Sequence, residues 1–447
     1  MTTLISPPLQ LSEPNRQGLA AYGGPRAVTE PYRERWKHVR LRDAVPILKS
    51  IWRGRTTSPK GQFGVQEFER EFAKLCGSQF ALAMNSGTAA LHSGLFAVGV
   101  GVGDEVVLPA YTFHASASAV LASGATPVFC EVDPRTLTLD PNDLERRITE
   151  RTRAIMVVHV WGNPAEMDRI CRIAKARRIP IVEDCSHAHG ASYKGKSVGS
   201  WGDVGCFSLQ GEKAVSAGEG GVAVCADEVI LDRMLALGQP VRTGSGMLSG
   251  QFNVGSMHLG PKYRSHLFGI LLAKKSLDRL GELNNRRRRN WQMLCEELRS
   301  CEGIRPIDTL DGAQRGGFLE FMFALDDRLG VCRDRFVELA VAEGVPVQPD
   351  RYFPLHGERV FRSEHPLSIQ ILDAQCAVAP APKLPVTETI CQCTVKMPAL
   401  TKVPESYVRQ CGKGLAKIAN FLLAESLRGG SITHPNCLDE SSPGRPL

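Results

Sequence analysis

Residues 181–227 read IVEDCSHAHGASYKGKSVGSWGDVGCFSLQGEKAVSAGEGGVAVCAD and hold, in one order, a carboxylate, a hydroxyl, a lysine and a glycine-rich turn. Ile179-Pro-Ile-Val-Glu-Asp184 predicts a short buried strand ending in carboxylates, and an acid at the C-terminal edge of such a strand can hold a pyridine nitrogen protonated. Asp184 is the candidate. Gly205-Cys-Phe-Ser-Leu209 predicts a second strand, and Lys213 follows Ser208 by five residues in a Gly-flanked loop, where a lysine amine can reach an aldehyde and form a Schiff base. Acid, hydroxyl and lysine in this order suit pyridoxal phosphate. Each residue alone has a plainer reading, since an Asp after an apolar strand is commonly a cap or turn residue and a loop lysine is commonly solvated.

A second stretch offers a place for a phosphate. After the strand Phe80-Ala-Leu-Ala-Met84, the small-residue turn in Ala83-Met-Asn-Ser-Gly-Thr-Ala-Ala-Leu91 puts the backbone N–H groups of Gly87 and Thr88 at a helix N-terminus, which suits a phosphate dianion. Asn85, Ser86 and Thr88 are also good capping types, so the residues alone leave open an ordinary capped helix start.

The combination ED, HGA, GxxVGSxGD, FS, K and GEGG resembles the DegT/DnrJ/StrS-type aminotransferases, fold-type I pyridoxal phosphate enzymes that make amino sugars and aminocyclitols. The resemblance extends from about Leu19 to about Leu423, with Gln62-Phe-Gly-Val-Gln-Glu-Phe-Glu69 similar to the helix that leads into the first large-domain strand. It implies that Lys213 carries the coenzyme and acts as general base, that Asp184 pairs with its ring nitrogen, and that Ser86, Gly87, Thr88 and Ser208 belong to its binding set. Gly103-Asp-Glu-Val-Val-Leu-Pro-Ala-Tyr-Thr-Phe-His-Ala-Ser-Ala-Ser118 resembles the strand and turn that place an aromatic ring over the coenzyme, at Phe113; a core aromatic is the plainer alternative. His187 stands where relatives carry glutamine or histidine; its ring could pack on the coenzyme or donate to the phenolic oxygen, or be a turn histidine. Val157-Val-His-Val-Trp-Gly-Asn-Pro164 lines the same crevice, without assigned chemistry.

At Gly260-Pro-Lys-Tyr-Arg264 the commoner pattern has asparagine where this chain has Lys262. In the family that residue comes from the neighbouring subunit to touch the phosphate, and a lysine can do so as a point charge. The resemblance therefore implies a homodimer with shared active sites. It also implies an amino donor, glutamine or glutamate, and a keto cyclitol or keto sugar as acceptor. Alternatives within the family are a 3-amino-5-hydroxybenzoate synthase-like enzyme and a nucleotide-sugar aminotransferase. The N-terminal Leu19-Ala-Ala-Tyr-Gly-Gly-Pro-Arg-Ala-Val28, His187 and Lys262 look closer to the cyclitol and aminohydroxybenzoate types. Dehydratase relatives replace the lysine by histidine, whereas Lys213 is retained; a non-catalytic partner protein is a further alternative.

The elements that must position these groups follow from length and patterning. The 447 residues suffice for more than one domain. Alternating apolar strands and helical stretches from about Val65 to Asp227 predict an α/β fold with a mostly parallel, seven-stranded-type sheet flanked by helices, plus a smaller α+β C-terminal domain. Strand candidates are Phe80–Met84, Glu105–Pro109, Pro127–Val132, Ala154–Val160 and Pro180–Glu183. Expected boundaries are an N-terminal arm over 1–18, a large domain over 19–300, a small domain over 301–425 and a Gly/Ser/Pro-rich, disordered tail over 426–447. Tyr352-Phe-Pro-Leu-His356 and Leu384-Pro-Val-Thr-Glu388 resemble motifs near the substrate entrance.

Apolar residues at 43% and charged residues at 23% describe an ordinary globular protein, and a net charge of +7 mildly favours anionic ligands. Arg286 to Arg289 sit in a helical stretch, Leu277 to Leu298, as a solvated face, and no nucleic-acid motif accompanies them. Most of the 14 cysteines lie in apolar or helical runs as small core residues, and Cys391-Gln-Cys393 lacks the second pair that zinc would need. No metal is expected. Met1 to Gln17 has no signal core and no stretch is long enough to span a membrane, so a reducing cytoplasm is the expected location.

Overall fold

The computed structural model describes residues 18–239, 241–243, 247–250, 260–361 and 382–427. The expected arm up to residue 17 and the expected tail from residue 428 lie outside the described residues.

Fourteen strands form three sheets among the described residues. The largest contains β1 (Phe80–Met84), β2 (Glu105–Pro109), β3 (Thr126–Cys130), β4 (Thr152–Val158), β5 (Ile181–Asp184), β8 (Val204–Ser208) and β9 (Gly221–Cys225), in the order β1-β9-β8-β5-β4-β2-β3. Only β9 runs against its neighbours; the β8-β5-β4-β2-β3 pairings are parallel. A mostly parallel sheet needs both faces covered, and its strands are accordingly enclosed: all five residues of β2 and of β9 are buried. A small sheet pairs β6 (Ser192–Tyr193) with β7 (Lys196–Ser197) and with β11 (Ala313–Gln314). A four-stranded antiparallel sheet has the order β10 (Ile304–Pro306), β12 (Glu320–Leu325), β14 (Thr394–Pro398), β13 (Gln348–Pro349).

Helices cover the large sheet. On one face, α3 (Gly87–Ala97), α4 (Ala115–Ala122) and α7 (Glu228–Gly238) share a core with Leu82, Val106, Met156 and Val182. On the other, α2 (Val65–Cys76) and α8 (Leu267–Leu277) enclose Phe68, Phe72, Phe207 and Leu209. The helical stretch expected over Leu277 to Leu298 is α9 (Leu280–Glu297), separated from the end of α8 by Asp278 and Arg279. The four-stranded sheet packs against α9, α10 (Arg333–Ala342) and α12 (Glu405–Leu427) around Phe321, Phe323, Phe336 and Leu415. α12 therefore includes the first two residues of the expected tail.

The arginine run departs from a uniformly solvated face. Arg287 is 5% exposed and donates to Thr401 Oγ1 at 2.8 Å, to the Phe318 carbonyl at 2.9 Å and to the Gly317 carbonyl. One residue of four consecutive helix positions points inward here, where orphan carbonyls of the 317–318 turn need donors. The N-terminal segment is tied to the far part of the chain: the fully buried Glu343 carboxylate accepts from the Ala20 and Ala27 N–H groups at 2.8 Å each and pairs with Lys417 at 2.9 Å.

Candidate active site

The C-terminal ends of parallel strands, where the chain turns into helices and loops, create a crevice on one edge of the sheet. β1 leads into α3 there, β5 ends in Asp184 and β8 ends in Ser208. Two glycines let these ends meet. A Cβ on Gly87 would lie 2.8 Å from the Ser208 Cβ, and one on Gly221 would lie 2.1 Å from the Ser86 carbonyl oxygen. Only hydrogen fits at either place, so the start of α3 sits directly against Ser208 and the start of β9.

The Ser86 hydroxyl caps α3 by accepting from the Ala89 N–H at 3.0 Å. The Gly87 and Thr88 N–H groups open the helix, where the backbone has no intrahelical acceptor and the dipole favours an anion. Capping and anion binding are thus compatible here: Ser86 does the first and its neighbours are placed for the second.

A cavity of about 340 Å³ joins this helix start to the acid and the lysine. Its lining contains Ser86, Gly87, Thr88, Phe113, Asp184, His187, Ser208 and Lys213, eight of the nine site residues expected from the sequence. Lys262 is exposed and is not in this lining; its carbonyl accepts from Asn85 Nδ2 at 3.4 Å, beside the turn that precedes Ser86. Phe113 stands half-exposed at the wall, its ring centroid 4.2 Å from that of His114. A groove of about 1060 Å³ beside β10 is larger, but it is lined by Trp291, Leu298, Ile307 and Ile390 and holds neither the lysine nor Asp184.

Asp184 is 5% exposed and accepts from the Ser116 hydroxyl at 2.8 Å and the Ser186 N–H at 3.0 Å. Burial draws the Lys213 ammonium down to about 8; Asp184 opposes that shift, while the nearby Arg351 guanidinium adds to it. A lysine in that range supplies a substantial neutral amine near neutral pH, as a nucleophile or base requires.

His187 is held from two sides. The Trp161 backbone N–H donates to its Nδ1 at 3.2 Å, and its Nε2 lies 3.3 Å from the Tyr352 hydroxyl. Burial, reinforced by Lys213, drives the ring well below the usual histidine range, so it stays neutral. His189, buried between Phe72 and Phe207, is likewise drawn down to about 3 by burial.

The sequence left Arg351 and Trp161 without a role. Arg351 enters the cavity beside Tyr352, pairs with Glu320, and lies 5.8 Å from the Trp161 ring centroid. Trp161 adopts φ 54°, a left-handed backbone that turns its N–H onto His187. Neither signal is local in sequence. The Tyr352 and Leu384 motifs are tied together by a 2.9 Å contact between His356 Nε2 and Glu388, although His356 itself is outside the lining.

A profile of the DegT/DnrJ/EryC1/StrS aminotransferase family matches residues 47–410. The chain belongs to that family. This aminotransferase is 36% identical over 339 residues to the L-glutamine:scyllo-inosose aminotransferase of Streptomyces griseus, covering 73% of this chain and 78% of that protein. It is 43% identical over 188 residues to the GDP-perosamine synthase of Escherichia coli O157:H7, an alignment that spans 42% of this chain and half the length of that relative. The crystal structure of 3-amino-5-hydroxybenzoic acid synthase superposes with a TM-score of 0.73 at 27% identity, over 88% of this chain and 99% of that one.

Family members work with pyridoxal 5'-phosphate, and the donor set of this aminotransferase fits that coenzyme. The amide-rich helix start suits the phosphate, the Asp184 carboxylate suits a pyridinium, and a lysine drawn down to about 8 suits an aldehyde. The close approach of Gly87 to Ser208, which a Cβ would block, keeps the helix start and the hydroxyl together as one cradle.

Proposed function

We propose that the chain transfers the amino group of glutamine or glutamate to a keto cyclitol. The observation that carries this reading is the convergence of the α3 start, Asp184 and Lys213 on one cavity. It is supported on the acceptor side by the likeness to L-glutamine:scyllo-inosose and L-glutamine:2-deoxy-scyllo-inosose aminotransferases, the latter 34% identical over 78% of a Streptoalloteichus tenebrarius protein. A nucleotide-linked keto sugar is the second reading, favoured by the 43% identity to GDP-perosamine synthase.

Bound pyridoxal phosphate supplies an electron sink for the carbon losing its proton. The protein residues do the rest. Gly87 and Thr88 amides with the Ser208 hydroxyl would hold the phosphate, and Asp184, fixed by Ser116 and Ser186, would keep the ring nitrogen protonated. Lys213 Nζ would be the covalent anchor, and as a free amine it would take the proton from the donor's α-carbon. Phe113, at the cavity wall, would cover the ring, and a reducing cytoplasm suits the cysteines, all free among the described residues.

Lys262, which is exposed, reaches the phosphate of a second subunit in this reading, giving a homodimer with shared sites. Mixing the inactive variants Lys213→Ala and Lys262→Glu under subunit exchange tests this. A hybrid dimer has one doubly defective and one intact site, so with about half of the dimers hybrid roughly a quarter of wild-type activity should return. No recovery despite verified exchange would reject the shared site. The acceptor is tested by assaying scyllo-inosose and nucleotide-linked keto sugars with glutamine as donor; activity on the latter alone would replace the cyclitol reading.

A further inference from the structure

Tyr352 reaches the cavity from the segment that follows β13, and its environment fixes the direction of a proton. A backbone N–H can only donate, so the Trp161 N–H bonded to His187 Nδ1 makes that nitrogen an acceptor. A neutral imidazole then carries its single hydrogen on Nε2. That hydrogen faces the Tyr352 hydroxyl at 3.3 Å, so the tyrosine oxygen accepts from His187 and its own proton is left to be given elsewhere. Among the described residues Tyr352 Oη has no second hydrogen-bond partner.

The rings are held rigidly enough for this direction to matter. The His187 and Tyr352 rings lie within 12° of parallel with centroids 6.3 Å apart, and both stack on Trp161, with centroids 5.1 and 4.7 Å from the indole. Trp161 is anchored in turn: its Nε1 donates to Tyr111 Oη at 2.9 Å, and Tyr111 donates to the buried Asp350. Burial keeps the Tyr352 phenol well above its ordinary pKa, so the hydroxyl stays a neutral donor across the physiological range.

We propose that Tyr352 donates a hydrogen bond to the ketone oxygen of the keto substrate, and that His187 is a positioning residue which sets the direction of that donor. A ketone oxygen accepts hydrogen bonds and offers none. A fixed neutral donor polarises the carbonyl towards an incoming amine without placing a further charge beside Lys213. The inference rests on the aminotransferase reading but not on the identity of the acceptor, because keto cyclitols and nucleotide-linked keto sugars both present a ketone.

Tyr352→Phe keeps the stacked ring and removes only the hydroxyl. Calorimetric binding of scyllo-inosose to Lys213→Ala protein loaded with pyridoxamine 5'-phosphate should weaken about tenfold when Tyr352→Phe is added. In the otherwise wild-type holoenzyme, Tyr352→Phe should slow single-turnover reaction with saturating ketone by about thirtyfold, while coenzyme affinity and absorbance stay as in wild type. Nitrogen-15 spectra of histidine-labelled protein, assigned with His187→Gln, should show His187 neutral and protonated at Nε2. Unchanged ketone binding and turnover would overturn the inference. So would an altered coenzyme spectrum with normal ketone affinity, or an Nδ1-protonated His187. If wild type does not turn over scyllo-inosose, the cyclitol reading fails separately, and the same comparison with a nucleotide-linked keto sugar still decides the role of Tyr352.

Discussion

Glu183 and Asp184 are neighbours on β5, yet strand alternation sends them to opposite faces, into two buried polar regions with different fates. Glu183 is committed on both oxygens: it accepts from the Gly199 N–H at 2.8 Å, the Gly202 N–H at 2.7 Å and His159 Nε2 at 3.0 Å. His159 is itself committed, since its Nδ1 accepts from the Ala165 N–H at 3.1 Å. His159, Glu183 and Cys185 are the only group of potential metal ligands close enough together among the described residues, but these bonds already occupy the histidine and the acid. Asp184 instead takes two hydrogen bonds and faces a cavity. A carboxylate committed on both oxygens to buried protein donors holds a fold together, whereas one with capacity left over beside a cavity can serve a ligand.

Lys213→Ala should abolish transamination and the covalent attachment of the coenzyme. Borohydride reduction followed by peptide mass spectrometry should find the coenzyme mass on the Lys213 peptide in wild type, and recovery on another lysine would remove Lys213 from its role. Asp184→Asn comes next. Loss of an anion that acts on developing charge should reduce turnover on the order of a hundredfold with the thermal unfolding midpoint nearly unchanged. Near-normal turnover would remove Asp184 from that role.

On the opposite face the expectation reverses. Glu183→Gln exchanges acceptor capacity for an amide that cannot satisfy both glycine N–H groups and His159, so denaturant unfolding should show a loss of about 2 kcal/mol. The folded variant should still bind coenzyme. Equal loss of coenzyme affinity in the Glu183 and Asp184 variants would erase the distinction drawn here. The smallest effect concerns pH. Burial draws Lys213 down to about 8, so the neutral amine fraction rises with pH through that value. The rate at which apoprotein captures pyridoxal phosphate should climb and level off above about pH 8, rather than near the pH 10 of an ordinary lysine. A midpoint near 10 would show that the amine is more solvated than its place in the cavity indicates.

The sequence was most legible where local pattern and chemistry coincide. Phe80–Met84 and Glu105–Pro109 are strands at those residues because each is a short apolar run closed by a turn or a proline. The β4 expectation ran two residues late: its strand begins at Thr152 and ends at Val158, and the apolar Val160 belongs to a 3-10 turn that bends the chain at Trp161. Motif glycines were visible, but their purposes were not. Gly199 and Gly202 supply amides to Glu183, whereas Gly87 and Gly221 permit close approach at the helix start. Arg351 and the Trp161–His187–Tyr352 stack were illegible because they join residues from the large and four-stranded sheets, and no local periodicity encodes such a meeting.

The Glu343 clasp has a consequence for how the molecule is made. The amide of Ala20 leaves the ribosome 323 residues before its carboxylate partner, an interval on the order of tens of seconds at ordinary rates of synthesis. Throughout that time the segment bearing Leu19 and Val28 has no native place to go, because the cluster that receives both side chains is built from residues beyond 290. The segment that emerges early is therefore secured late, and translation that stalls between the two sheets leaves a nascent chain with its large sheet encoded and its leading segment unclasped.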